Sequence, residues 1–61
     1  MAVTFELYSD KKGEFRWRLR NQNGNVVAES GDSFPTKDGA QNGINSVMQS
    51  APAAAIEDAA A

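Results

Sequence analysis

The sequence predicts an α+β domain: a three- to four-stranded antiparallel sheet with one helix packed on one face, in the order β-β-β-α-β, paired as a dimer. Three observations carry this. Up to position 30, apolar and polar side chains alternate with a period of two, and two glycine-containing turn segments interrupt the alternation. From position 36 the period becomes that of an amphipathic helix, which Pro52 stops. Finally, 61 residues without cysteine or histidine are few for a self-sufficient core. Such a chain buries only about 60% of the surface that its unfolded form exposes. Of the supports that small domains use, disulfides and thiolate metal sites are excluded, which leaves a partner chain.

The first strand is expected at 3–8, with Val3, Phe5 and Leu7 on one side and Thr4, Glu6 and Tyr8 on the other. Ser9-Asp10-Lys11-Lys12-Gly13 breaks the pattern. A second strand follows at 14–22, where Phe15, Trp17 and Leu19 alternate with Glu14, Arg16, Arg18 and Arg20. A three-residue loop, Lys11-Lys12-Gly13, suits a type I turn closed by a glycine with positive φ. It sets Asp10 opposite Glu14, Leu7 opposite Trp17 and Phe5 opposite Leu19. A slip of one residue would put Phe5 and Leu7 beside arginines, so the register is well specified. The second turn, Gln22-Asn23-Gly24-Asn25, carries Asn-Gly and suggests a two-residue hairpin loop into a strand at 25–30. That register puts Val26, Ala28 and Ser30 on the face of Leu19 and Trp17, with Val27 opposite Arg20 and Glu29 opposite Arg18. A three-residue loop would bury Glu29 beside Trp17, which disfavours it.

Thr36 is the expected cap of a helix over 37–50, with Asp38 in the first turn where a negative charge suits the helix dipole. Ala40, Ile44, Val47, Met48 and Ala51 form the apolar stripe, and Gly43 falls on it. Gly39 and Gly43 each cost a helix about 1 kcal/mol relative to alanine. Close approach of helix and sheet is the simplest offset. The segment 54–58 reads as a weak strand and 59–61 as a frayed tail. The predicted core is Phe5, Leu7, Phe15, Trp17, Leu19, Val26, Ala28, Ala40, Ile44 and Val47.

The composition excludes several function classes. Six basic and eight acidic side chains leave a net charge of −2. The pI is near 4.8, unlike the basic balance of nucleic-acid-binding domains. No apolar stretch is long enough to span a membrane. Met1-Ala2-Val3-Thr4-Phe5-Glu6 has no basic segment followed by an apolar run, so no signal peptide and a cytoplasmic location are expected.

Several segments together resemble the YegP-like family of small uncharacterised proteins. They are Phe5-Glu6-Leu7-Tyr8, Asp10-Lys11-Lys12-Gly13-Glu14-Phe15-Arg16-Trp17-Arg18-Leu19, Asn23-Gly24 and Ser30-Gly31, followed by Thr36-Lys37, Asn42-Gly43-Ile44, Ser46-Val47 and Ala51-Pro52. The element from Gly13 to Leu19 is the specific part, and the likeness covers about positions 3–58. It implies a β-β-β-α-β unit that occurs as tandem repeats or as single repeats pairing as homodimers, and it implies no assigned activity. The chain departs from the family pattern at Phe34-Pro35, at Gly39 and at Met48-Gln49-Ser50. The last departure removes basic charge at the end of the helix.

Five residues are candidates for an interface or an anion-binding surface: Tyr8, Arg16, Arg18, Arg20 and Val27. The three arginines make a row about 14 Å long on one sheet face. With Tyr8 beside them they are similar to the cation-plus-aromatic surfaces that hold single-stranded nucleic acid. The competing reading, which the acidic net charge favours, pairs them with Glu6 and Glu29. Tyr8 and Val27 stand on the face that the helix does not cover, which suits a dimer surface, and an unpaired outer strand offers edge-to-edge pairing as a second route. No catalytic, cofactor-binding or metal residues are identified: the glycines match no phosphate-binding motif, and Gly39 and Gly43 read as a close-packing pair. The sequence therefore predicts a non-catalytic, homodimeric module of unknown function, with weak, salt-sensitive single-stranded nucleic-acid binding as the alternative.

Overall fold

Two turns of the same construction shape the sheet. In a computed structural model, which describes residues 3–60, Asp10 and Asn21 each open a turn with a three-residue loop. The Asp10 Oδ1 accepts from the backbone N–H of Lys12 and Glu14, at 2.9 and 3.0 Å. The Asn21 Oδ1 accepts from Asn23 and Asn25, at 2.9 and 3.1 Å. The glycine three residues on donates its N–H back to the Asp10 or Asn21 carbonyl. Gly13 and Gly24 have φ of 80° and 85°, a region that L side chains enter only at a steric cost.

The turns connect β1 (Thr4–Ser9), β2 (Phe15–Arg20) and β3 (Val26–Glu29) into an antiparallel sheet of order β1-β2-β3. In the first hairpin Leu7 pairs with Trp17, Phe5 with Leu19 and Glu6 with Arg18. The second departs from expectation at its turn. The loop holds three residues, Gln22, Asn23 and Gly24, so Arg20 pairs with Val26 and not Val27. One extra residue on β3 then restores the alignment, and Leu19 pairs with Ala28 and Arg18 with Glu29. The three-residue loop does not bury Glu29, because the bulge at Val27 absorbs the shift.

Thr36 caps α1 (Lys37–Ser50), its hydroxyl accepting from Gly39 N–H at 3.0 Å. Pro52 lies in a short 3₁₀ turn (Ala51–Ala53) that ends the helix. Residues 54–60 carry no regular secondary structure and are exposed, so among the described residues the sheet has three strands and 54–58 pairs with none of them. Of the tail read as frayed, Ala61 lies outside the described residues.

The core lies where α1 crosses β1 and β2. Ala40, Ile44 and Trp17 are buried, with Phe5, Leu7, Phe15, Phe34 and Val47 packed around them. Phe5 meets Trp17 edge to face, ring centroids 5.5 Å apart. Phe34, absent from the predicted core, exchanges two backbone hydrogen bonds of 2.8 Å with Phe15. Its ring occupies the groove left by Gly39 and Gly43, where a Cβ at position 43 would stand 3.1 Å from Phe34 Cζ. Val26 and Ala28, expected inside, are exposed. The bulge puts Val26 opposite Arg20, away from the core face. For Ala28 the reason is width, since a helix about 10 Å across covers two strands spaced about 4.8 Å apart, not three. Helix α1 packs on β1 and β2 and leaves β3 uncovered.

Candidate functional site

The alternation of β2 brings Arg16, Arg18 and Arg20 onto the face opposite the core. Each already has a carboxylate. Arg16 Nε donates to Asp10 Oδ2 at 3.2 Å. Arg18 Nε donates to Glu6 Oε1, and Arg20 Nε reaches the same oxygen at 3.2 Å. Arg20 also donates from Nη1 to the Gly24 carbonyl at 2.7 Å, tying the second turn to the strand. Tyr8 faces Arg16 in the register, yet the guanidinium over its ring, 4.4 Å from the centroid, is that of the diagonal neighbour Arg18. Glu29 faces Arg18 in the register but makes no ion pair among the described residues.

These contacts lower the carboxylates' pKa values. Hydrogen bonds from Arg18 and then Arg20 hold Glu6 below its ordinary value of 4.5. At Asp10, desolvation pushes the pKa upward, but hydrogen bonds from the Glu14 backbone, Arg16 and the Lys12 backbone outweigh it and leave the group below 3.8. Neither carboxyl is therefore tuned to exchange protons near neutrality. Among the described residues no group of acidic side chains could hold a metal ion, and no helix is long and apolar enough to cross a membrane.

Four predicted site residues, Tyr8, Arg16, Arg18 and Arg20, thus share one connected surface. Val27 lies on the β3 bulge, next to the partner of Arg20, and is 57% exposed.

A second feature lies beside it. Every residue of β3 is exposed, and an open, shallow cavity of about 440 Å³ is lined, among the described residues, by 26–31. Ser30 N–H donates inward to Trp17 O at 2.9 Å. The alternation of an antiparallel ladder therefore turns the Glu29 N–H outward, toward this cavity. Sequence reasoning raised an unpaired edge but placed Val26 and Ala28 in the core. The helix's limited width relative to three strands was the signal that could have located the opening.

The chain resembles known proteins along nearly its whole length. Residues 10–58 match a family profile described as a domain of unknown function (DUF1508). A UPF0339 protein of Treponema denticola is 46% identical over 56 residues, covering 92% of this chain and 95% of that one. A UPF0339 protein of Mesorhizobium japonicum is 45% identical over 58 residues, covering 95% and 97%. A third, described as a UPF0339 protein in the ptx operon 5′ region of Stutzerimonas stutzeri, is 46% identical over 52 residues. That alignment covers 85% of this chain but only 46% of the relative, so the chain spans about half the relative's length. A solution structure of a protein from Haloferax volcanii superposes with a TM-score of 0.88 at 40% identity, over 93% of this chain and 95% of that one.

Proposed function

The chain belongs to the DUF1508 family, and we propose that it is a non-catalytic pairing module, a cytoplasmic homodimer built by strand exchange. In this reading residues 54–58 of each copy add as a fourth strand to the open β3 edge of the other. The observation that carries it is the uncovered β3, with its outward backbone groups and the cavity of about 440 Å³ beside it. An exposed edge strand is a template for another chain.

The occupant is argued from the tail. Backbone at Ala54 is already extended, with φ −73° and ψ 138°. Ile56 is 98% exposed, an apolar side chain that packs on none of the described residues. Laid along β3, it would cover the inward side of Ala28, which faces Leu19. The length of the Stutzerimonas relative is consistent with this, since it leaves room for two such units on one chain. The arginine row supports a structural role: its three guanidinium groups are already paired with Glu6 and Asp10, which leaves little free positive charge for a phosphate backbone. Light scattering on the intact protein at micromolar concentration tests the proposal. The expected mass is twice the 6.5 kDa of one chain, and a single-chain mass would refute it.

A further inference from the structure

The dipeptide Asn-Gly occurs twice, as Asn23-Gly24 and Asn42-Gly43, in two opposite environments. We propose that Asn23 is a spontaneous modification site, losing its side-chain amide by cyclisation in the folded protein while Asn42 is protected.

The chemistry needs only water. The Gly24 backbone nitrogen attacks the Asn23 Cγ; the new N–Cγ bond forms as the Cγ–Nδ2 bond breaks, and ammonia leaves with the amide proton. The resulting five-membered imide is opened by water at one of its two carbonyls, giving aspartate or isoaspartate with no change of oxidation state. Glycine as the following residue offers no side chain to hinder the attack.

Local structure separates the two sites. Asn23 is exposed at the tip of the second turn, and its side chain makes no hydrogen bond among the described residues. The attacking Gly24 nitrogen is restrained by one bond, to Asn21 O at 2.9 Å. Asn42-Gly43 lies inside α1, where the helical ladder holds the Gly43 nitrogen. A Cβ on Gly43 would be 3.1 Å from Phe34 and 3.2 Å from Trp17 Nε1, so the core is packed against this turn of the helix. Cyclisation at Asn42 requires the helix to open, whereas cyclisation at Asn23 requires only that a surface turn frays. Isoaspartate at 23 adds a backbone methylene to a loop whose hydrogen bonds run from Asn21 to Asn25, and so frees β3. If the pairing proposed above holds, that form is a monomer; this consequence rests on that reading, while the assignment of the site does not.

Peptide mapping by mass spectrometry, with isoaspartate detection, after incubating the intact protein at mildly alkaline pH tests the proposal. Loss of the amide is expected at Asn23 at least about tenfold faster than at Asn42, because turns open far more readily than packed helices. In concentrated denaturant the two sites should react at similar rates. Asn21→Ala removes the acceptor for the Asn23 and Asn25 N–H groups and should speed loss at Asn23 several-fold with Asn42 unchanged. Equal rates in the folded protein, or an Asn23 rate indifferent to Asn21→Ala, would overturn it.

Discussion

A methyl group at position 43 would press on Phe34 Cζ and on Trp17 Nε1, at 3.1 and 3.2 Å. Trp17 is 8% exposed and its Nε1 is buried without a partner among the described residues, so the indole has little room to retreat. Gly43→Ala should therefore destabilise the protein by about 1–2 kcal/mol, although in an open helix alanine would gain about 1 kcal/mol. Urea titration checks this, and a stabilised variant would mean that the two rings yield freely. Trp17→Ala removes the centre of the core and should cost about 3–5 kcal/mol, enough to leave much of the chain unfolded by circular dichroism. The glycine's position on the apolar stripe was legible in the sequence. Its neighbour was not, because Phe34-Pro35 belongs to no periodic segment and its backbone pairing with Phe15 follows from the tertiary fold. Glu6 offers a pH test. Its pKa is lowered in the folded state by Arg18 and Arg20, so its contribution to stability is complete above the unfolded value of 4.5 and is lost as the pH falls through the lower folded value. Glu6→Gln should flatten the decline in melting temperature below pH 4.5, relative to the parent protein. An unchanged slope would show that the cluster adds no pH dependence.

At the scale of elements, the first hairpin followed from its sequence because two independent constraints agreed. Asp10 and Gly13 dictate the turn, and pairing Leu7 with Trp17 keeps the apolar residues on one side. In the second hairpin they conflict. Asn21 and Gly24 build the same three-residue loop, while the pattern of β3 requires Glu29 opposite Arg18, and the bulge at Val27 reconciles them. Turn chemistry and strand pattern were each readable; the extra residue that satisfies both was not, since nothing local marks it. The edge makes its own prediction. Because the Glu29 N–H points outward, Glu29→Pro removes no bond within the chain's own sheet and is tolerated as an edge-strand proline. It should leave the monomer folded, by its amide spectrum, while abolishing association. A dimer of unchanged affinity would place the interface elsewhere, on the outer face of Tyr8 and the arginines or on the other sheet edge, β1.

For the whole molecule, the decisive relation is between one helix and three strands. Helix α1 protects the Trp17 cluster but cannot reach β3, while the tail leaves Ile56 without a site. Such a chain has an uncovered strand and an exposed C-terminal segment that the helix and sheet do not use. The proposed exchange between two copies would resolve both at once, and would explain why 54–58 reads as a strand in sequence yet pairs with nothing among the described residues. Truncation after Ala53, or Ile56→Asp in the intact chain, should convert the dimer to a folded monomer of lower melting temperature. The most direct test is an isotope-filtered NMR experiment on a dimer formed from labelled and unlabelled chains. The account predicts contacts between the Ile56 methyls of one copy and the Ala28 methyl of the other. A monomeric protein, or a dimer in which Ile56 touches no residue of β3 across the two chains, would contradict it.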